Sequence, residues 1–91
     1  MNIFSIIVCY NPDLQNLNLL IQSILNQSSK VVIVDNSEVN NLSKLNSCDI
    51  LTLGENKGIS YAQNMGIEYA KSKGANAFVF FDQDSEIENN F

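Results

Sequence analysis

Two aspartates one residue apart follow an apolar run near the end of the sequence. The run "AFVFFD" (77–82) ends at Asp82, and Asp84 comes after a single glutamine. If the strand continues, both side chains leave on one side, with Cα atoms about 7 Å apart. Carboxylate oxygens suit Mg²⁺ or Mn²⁺, which takes one or two carboxylates and completes its shell with water and substrate phosphates. The pair predicts a divalent cation site, but its spacing alone fits equally well a helix-capping aspartate beside a solvated one.

A third carboxylate ends another apolar run. Asp35 closes "VVIVD" (31–35) and is followed by Asn36 and Ser37, which offer turn chemistry. A carboxylate here can accept a hydrogen bond from a ring N–H or a ribose hydroxyl. The alternative is an Asx-turn in which Asp35 only holds its loop.

Two further stretches have residue types suited to a nucleotide. Tyr10, in "YNP", can stack on a base, and Pro12 stiffens its loop. In "ENKG" (55–58), Gly58 permits an unusual backbone at a helix start, whose N–H groups attract an anion, and Lys57 adds a point charge. The alternatives are an ordinary strand-to-helix turn and a solvated lysine.

Four apolar runs must position these residues. They are rich in β-branched and aromatic residues and do not alternate cleanly, which predicts strands buried on both faces of a parallel sheet. The predicted strands are 3–9, 30–35, 49–53 and 77–82. Asp82 would then end a central strand.

Two helices are predicted between the strands. The segment 13–29 has one apolar stripe, with Asp13 as its cap. The segment 58–74 has a second stripe, and Gly74 is its C-terminal cap. Gly66 lowers helix propensity and so indicates a close approach to the sheet. The predicted apolar stripes comprise Leu14, Leu17, Leu20, Ile21, Ile24 and Leu25 in the first helix, and Ile59, Ala62, Gly66, Tyr69 and Ala70 in the second.

The order of elements predicts an α/β fold, a Rossmann-like parallel sheet of about four strands with flanking helices. Such a sheet binds ligands beyond the carboxyl ends of its strands. Those ends are followed by "YNPD", "DNSE", "GENKG" and "DQDSE". The candidate residues therefore share one edge of the sheet. The polar segment 36–48 predicts only a turn or short helix.

Size and charge limit the function. The 91 residues, 45% of them apolar, predict one domain over 1–91, and the net charge of −5 disfavours a nucleic acid partner. The N-terminus has neither a basic leader nor the length of a spanning helix, which predicts a cytoplasmic protein without a transmembrane segment. Cys9 and Cys48 lack metal-site spacing and are predicted to be buried, reduced thiols. The sequence stops soon after "DQDSE", which predicts a domain truncated at its C-terminal side.

Taken together, "IIVCYNP", "VVIVDNS", "ENKGISYAQNMGI" and "FVFFDQDS" resemble the N-terminal nucleotide-binding half of family-2 inverting glycosyltransferases with the GT-A fold. The "DQDS" form and the helix after "ENKG" are most similar to bacterial rhamnosyltransferases. The resemblance covers nearly the whole chain, with the motifs in the family's order.

The resemblance implies a role for each candidate residue. Asp35 would bind a pyrimidine base, and Asp82 the ribose. A divalent cation (Mg²⁺ or Mn²⁺) bound to the diphosphate would be held by Asp84 together with Asp82. Asn64 would face the sheet and bond loop backbone. The remaining predicted nucleotide-binding residues are Tyr10, Asn11, Asn56, Lys57 and Gly58.

The implied chemistry is displacement at the anomeric carbon of a nucleotide-diphosphate sugar, most consistent with dTDP-rhamnose, by a hydroxyl of a glycan or lipid-linked acceptor, with inversion. This would serve the synthesis of bacterial surface polysaccharide. The family's general base has no counterpart in the chain, so we expect this piece alone to bind a donor and to transfer no sugar. A whole enzyme would be cytoplasmic or peripheral to the membrane.

Other classes compete with this interpretation. A haloacid-dehalogenase-type phosphatase also ends an apolar strand in two aspartates, with Asp82 as nucleophile and Asp84 as acid or base. That motif normally follows the first strand, whereas three predicted strands precede it here. A P-loop enzyme is disfavoured because the chain lacks the phosphate-binding sequence of that class. A module that binds a nucleotide without catalysing a reaction remains an alternative interpretation.

Overall fold

The structure is a computed structural model that describes residues 2–25, 30–39, 42 and 48–83. Its elements lie where the patterns predict them, although the third strand ends one residue early and the second helix is shorter than predicted. The predicted end of the first helix, 26–29, lies outside the described residues. Most of the predicted turn between the second and third strands lies outside the described residues. The elements are β1 (Ile3–Cys9), α1 (Leu14–Leu25), β2 (Lys30–Asp35), β3 (Asp49–Thr52), α2 (Ile59–Ser72) and β4 (Ala77–Asp82).

The strands form one parallel sheet in the order β3-β2-β1-β4. β1 lies between β2 and β4, and Ile7 pairs in register with Ile33 on one side and Phe81 on the other. The predicted α/β class and the Rossmann-like parallel sheet are confirmed.

The helices cover opposite faces of the sheet. Side chains alternate along each strand, so each strand contributes to two separate apolar clusters. The cluster under α1 contains Ile7, Cys9, Val31 and Ile33 with Leu17, Leu20, Ile21 and Ile24. The cluster under α2 contains Phe4, Ile6, Val32 and Val34 with Ala62 and Ala70. Neither helix in the described part of the chain has the length and apolar character to cross a membrane.

Local sequence signals fix where the helices begin and end. The Asp13 Oδ1 accepts hydrogen bonds from the N–H groups of Gln15 and Asn16 at 3.0 and 3.1 Å, as predicted for an N-cap. At the end of α2, Gly74 has φ of +94° and donates to Lys71, while Ala75 donates to Ala70. This paired pattern is a Schellman motif, which requires the left-handed backbone that glycine supplies.

Gly66 is where α2 comes closest to the sheet. A Cβ atom at this position would lie 2.7 Å from Ile6 Cγ2 and 3.1 Å from Val34 Cγ2. The hydrogen of glycine therefore allows the helix backbone to approach β1 and β2, as predicted.

Some predictions about exposure are wrong. Within the described sheet β4 is an edge strand, paired with β1 only, and Val79 and Phe80 are 39% and 44% exposed. An edge strand has a neighbour on one side, so its apolar residues are less covered. Leu14 and Ile59 belong to the predicted apolar stripes but are exposed, because each lies in the first turn of its helix, beyond the sheet.

Candidate functional site

The carboxyl ends of all four strands lie at one edge of the sheet, and both helices begin there. The connection through α1 leaves β1 toward β2 on one face, and the connection through α2 reaches β4 on the other face. The strand order therefore reverses between β1 and β4, which is where α/β sheets bind ligands. The backbone N–H of Tyr10 donates to Gln83 Oε1 at 2.6 Å across this point. The predicted edge is thus one continuous surface.

Asp35 is completely buried at the end of β2. One carboxylate oxygen, Oδ1, accepts from the N–H of Ser37 at 3.0 Å and lies 3.8 Å from the thiol of Cys9. The other oxygen, Oδ2, is buried and has no hydrogen-bond partner among the described residues. An unpaired buried carboxylate oxygen costs free energy unless a donor reaches it. Asp35 therefore makes the Asx-type turn that the sequence offered as the alternative, and within the described structure Oδ2 remains an available acceptor.

Cys9 faces this carboxylate from the end of β1. Burial, together with the nearby charge of Asp35 and the hydrogen bond to it, raises the pKa of the Cys9 thiol to about 12. The thiol therefore stays protonated and acts as a weak donor to Asp35. The predicted reduced thiols are both present, with Cys9 buried and Cys48 half-buried.

The loop after β1 is bound to the loop after β2. The Tyr10 hydroxyl donates to Glu38 Oε1 at 3.0 Å, and the Asn11 N–H donates to Ser37 Oγ at 2.7 Å. The hydrogen bond to Glu38 and the charge of that carboxylate raise the pKa of Tyr10. Asn11 has φ of +44°, a left-handed backbone that asparagine tolerates better than most residues. Both predicted residues of this loop thus lie beside Asp35's own loop, and Tyr10 is 43% exposed.

The loop before α2 also reaches this edge. Gly58 has φ of +86° and is the N-cap of α2, and no side chain in the described structure caps the helix. Its own N–H donates to Asn56 Oδ1 at 3.0 Å. Lys57 pairs with Glu55 at 2.8 Å, a hydrogen bond and charge contact that lower the pKa of Glu55 and raise that of Lys57. The lysine Nζ lies 5.4 Å from the centre of the Tyr61 ring. The helix N-terminus is open, whereas the predicted point charge is already paired.

Asn36 connects Asp35's loop to the start of α2. Its Oδ1 accepts from the Lys57 N–H at 3.2 Å, and its Nδ2 donates to the Gly58 carbonyl at 3.4 Å. Asn36 is only 3% exposed. The sequence marked Asn36 as a turn residue, and its wider role depends on a contact between loops that are distant in sequence.

Asp82 lies exposed at the end of β4, in register with Val8 of β1. Asp84 lies outside the described residues, so its predicted place in a cation site stays a prediction. In the described part of the chain, no three His, Cys, Asp or Glu side chains form a group that could hold a metal ion. The donor chemistry still fits a hard cation that takes only one or two protein carboxylates.

Sequence reasoning missed two residues and misplaced a third. Glu38 and Gln83 both bind Tyr10, but neither belongs to a recognisable pattern. Asn64, predicted to face the sheet, is exposed. It is two residues from each of Ala62 and Gly66, which are buried, and therefore projects from the opposite side of α2.

Comparison with known proteins shows which family the chain belongs to. Residues 5–91 match the family model of glycosyl transferase family 2. The chain is 46% identical to the dTDP-rhamnosyl transferase RfbF of Shigella flexneri, over 99% of this chain and 32% of that protein. It thus spans about a third of the length of this relative. No solved structure matches the chain. The family match gives the phosphatase interpretation no support, and the chain belongs to glycosyl transferase family 2.

Proposed function

We propose that this chain is the donor-binding part of an inverting glycosyltransferase that uses a dTDP-sugar, with rhamnose as the transferred sugar. Membership of the family supports sugar transfer. The name of the relative supports the dTDP-rhamnose donor. The single structural observation that carries the proposal is the unpaired Oδ2 of Asp35 at the ligand-binding edge.

A pyrimidine base of the thymine or uracil type matches this oxygen. Its ring N3–H is a donor, and Oδ2 is an acceptor whose partner oxygen is already occupied by Ser37 and Cys9. A bond from N3–H to a carboxylate is charge-assisted and stronger than a bond between neutral groups. Adenine and guanine cannot present the same donor in the same pose. Asp35 therefore selects a pyrimidine nucleotide.

The base reaches Asp35 only after a local opening, because the side chain is fully buried. The contacts between Asn11 and Ser37 and between Tyr10 and Glu38 join the two loops beside it. Separation of these loops admits the base, and the exposed Tyr10 ring then stacks on it.

The diphosphate binds toward the N-terminus of α2. Backbone N–H groups of the first helical turn carry a partial positive charge and attract an anion. Gly58 has no side chain, so a phosphate can approach its backbone closely. The space beside it is open, because a Cβ there would meet no atom within 4 Å. Lys57 exchanges Glu55 for a phosphate oxygen. These local donors are needed because the chain has a net charge of −5.

Asp82 and Asp84 would hold a Mg²⁺ or Mn²⁺ ion, with Asp82 also placed to bind the ribose. When bound, such a cation stabilises the negative charge that grows on the departing diphosphate. Asp82 contributes from the end of β4, beside the point where the strand order reverses. The acceptor and the general base are assigned to no residue of this chain.

The transfer itself is a displacement in which an acceptor hydroxyl forms a bond to the anomeric carbon as the bond to the diphosphate breaks. This chain's residues bind and orient the donor for that step. The product is a glycan of the bacterial surface, made at the cytoplasmic side.

Base selectivity tests the proposal. NMR titrations with dTDP, UDP, ADP and GDP in the presence of Mg²⁺ should show tighter binding of the two pyrimidine nucleotides, with dTDP the tighter of these. The shifts should include the amides of Ser37 and Tyr10. Equal affinity for all four ligands, or no binding of any, would contradict the proposed donor.

Paramagnetic Mn²⁺ tests the cation separately. Because few protein ligands are present, the ion should be held well only when a diphosphate completes its shell. Mn²⁺ should therefore broaden the resonances of Asp82 and Gln83 more with dTDP than with thymidine. The amide of Asn76, at the opposite edge of the sheet, is the internal control. Equal broadening with both ligands would argue against a cation bridging protein and diphosphate.

A further inference from the structure

Asn36 occupies an unusual position for a turn residue. Side chains alternate between the two faces along β2, so Asp35 projects with Cys9 toward the α1 face, and Asn36 projects toward the α2 face. Its backbone N–H extends the ladder by donating to the Cys9 carbonyl at 2.8 Å. At the carboxyl edge of the sheet, Asp35 and Asn36 thus project toward opposite faces.

The side chain of Asn36 uses both of its polar atoms on the loop before α2. Oδ1 accepts from Lys57 N–H, and Nδ2 donates to the carbonyl of Gly58, which also accepts from Ala62 N–H at 3.2 Å in the first turn of the helix. Asn36 itself is almost fully buried, whereas Lys57 and Gly58 are exposed, so the two bonds attach an exposed loop to a buried side chain.

We propose that Asn36 is a positioning residue that fixes the N-terminus of α2 at a set distance from Asp35. The inference rests on the proposed function, in which Asp35 binds the base and α2 receives the diphosphate. Asn36 touches neither group. It keeps the base subsite at Asp35 and the diphosphate subsite at α2 at a fixed distance from each other. A nucleoside diphosphate can then bind to both subsites at once without first ordering the loop before α2.

This role differs from general structural support in a measurable way. Loss of a merely structural residue weakens the fold and lowers the affinity for every ligand. Loss of the Asn36 side chain removes only the hydrogen bonds to the loop before α2, which belongs to the diphosphate subsite. The bond from the Asn36 backbone N–H to Cys9 remains, because it does not depend on the side chain.

The tie can be tested without any ligand. In Asn36→Ala, hydrogen exchange of the Lys57 amide should accelerate at least about tenfold, which corresponds to about 1.4 kcal/mol, while the amide of Leu53 keeps its wild-type rate. The Leu53 amide donates to the Asp35 carbonyl at 3.0 Å and reports on the end of β2. Asn18→Ala, an exposed change on α1, is the matched control and should alter neither rate. An unchanged Lys57 rate, or equal acceleration at Leu53, would overturn the inference.

The second arm measures binding. Asn36→Ala should weaken dTDP about tenfold and leave thymidine affinity unchanged, because only the diphosphate end is released. Asn36→Asp should weaken dTDP further, since its carboxylate keeps the acceptor for Lys57 but loses the donor to Gly58 and repels phosphate. Equal weakening of dTDP and thymidine would overturn the positioning role. Failure of wild type to bind dTDP would overturn the proposed function, and the exchange result would still decide whether Asn36 holds the loop.

Discussion

Tyr10 and Glu38 form a hydrogen bond across two loops, and the bond links the ionisation of the phenol to a neighbouring carboxylate. The hydrogen bond to Glu38, which only the protonated phenol can donate, and the negative charge of that carboxylate together raise the pKa of Tyr10. In the proposed function the same bond must break before a base can reach Asp35. The ionisation of Tyr10 therefore reports whether the loops are joined.

The variant Glu38→Gln removes the charge while keeping the shape. The pKa of Tyr10 should fall toward its ordinary value of 10.0, because a neutral amide no longer opposes the phenolate. An NMR pH titration of the Tyr10 ring resonances measures the change. Glu55→Gln, which breaks the pair with Lys57 instead, is the control and should leave Tyr10 alone. An unaltered Tyr10 titration in Glu38→Gln would show that the bond between Tyr10 and Glu38 does not form in solution.

Cys9 makes stability depend on pH in the alkaline range. Its pKa is raised from 9.0 to about 12, so above pH 9 the unfolded chain loses this proton before the folded protein does. The contribution of Cys9 is therefore complete below pH 9 and declines toward pH 12. Denaturant unfolding of wild type and Cys9→Ala should show a stability gap that narrows between pH 8 and pH 10.5. A gap that stays constant would mean that the thiol ionises as easily in the folded protein.

At the scale of elements, α2 packs against β1 and β2 through residues with small side chains. Ala62, Gly66 and Ala70 form its buried face. This close packing brings the N-terminus of α2 to the carboxyl edge beside Asn36. A change in the packing distance along the helix would consequently shift the anion-binding end of the helix as well.

Gly66→Ala tests the close approach. Alanine gains about 1 kcal/mol of helix propensity over glycine, but its Cβ would meet Ile6 Cγ2 at 2.7 Å and Val34 Cγ2 at 3.1 Å. Overpacking a buried contact costs about 1–3 kcal/mol, and both partners are fully buried. Chemical denaturation should show a net loss of stability. Asn64→Ala, on the exposed side of α2, should be neutral or stabilising; a stabilised Gly66→Ala variant would disprove the tight contact.

Much of the fold is predictable because it depends on local periodicity. Apolar strands and helix-capping residues such as Asp13 and Gly74 are local patterns, and they place all six elements. The edge position of β4 depends on which strands pair, which no local pattern encodes. Asn64 illustrates another limit. The family resemblance implied that its side chain faces the sheet, but the 3.6-residue period of α2 places it on the exposed side of the helix.

The candidate site was predictable in location but not in detail. Strand ends of a parallel sheet must share an edge, so Tyr10 and Asp35 could be grouped from sequence. The unpaired Oδ2 of Asp35 and the two bonds of Asn36 depend on how separate loops pack, to within fractions of an ångström. Both features arise only in the folded protein.

For the whole molecule, charge opposes the proposed ligand. The net charge of −5 repels a nucleoside diphosphate, so binding must come from local donors and from the cation. Removing any carboxylate should by this long-range effect alone strengthen binding slightly. A carboxylate whose removal weakens binding must therefore contact the ligand or hold a group that does.

Calorimetric titration of dTDP with Mg²⁺ into wild type, Asp35→Ala, Asp35→Asn and Glu68→Ala tests the central claim most directly. Asp35→Ala should lose about 1.5–3 kcal/mol of binding free energy, the contribution of a hydrogen bond to a charged group. Asp35→Asn keeps the side-chain volume, so a similar loss there would exclude misfolding as the cause. Glu68→Ala removes an exposed charge on α2 and should bind dTDP at least as well as wild type. Wild-type affinity for dTDP in both Asp35 variants would contradict the account.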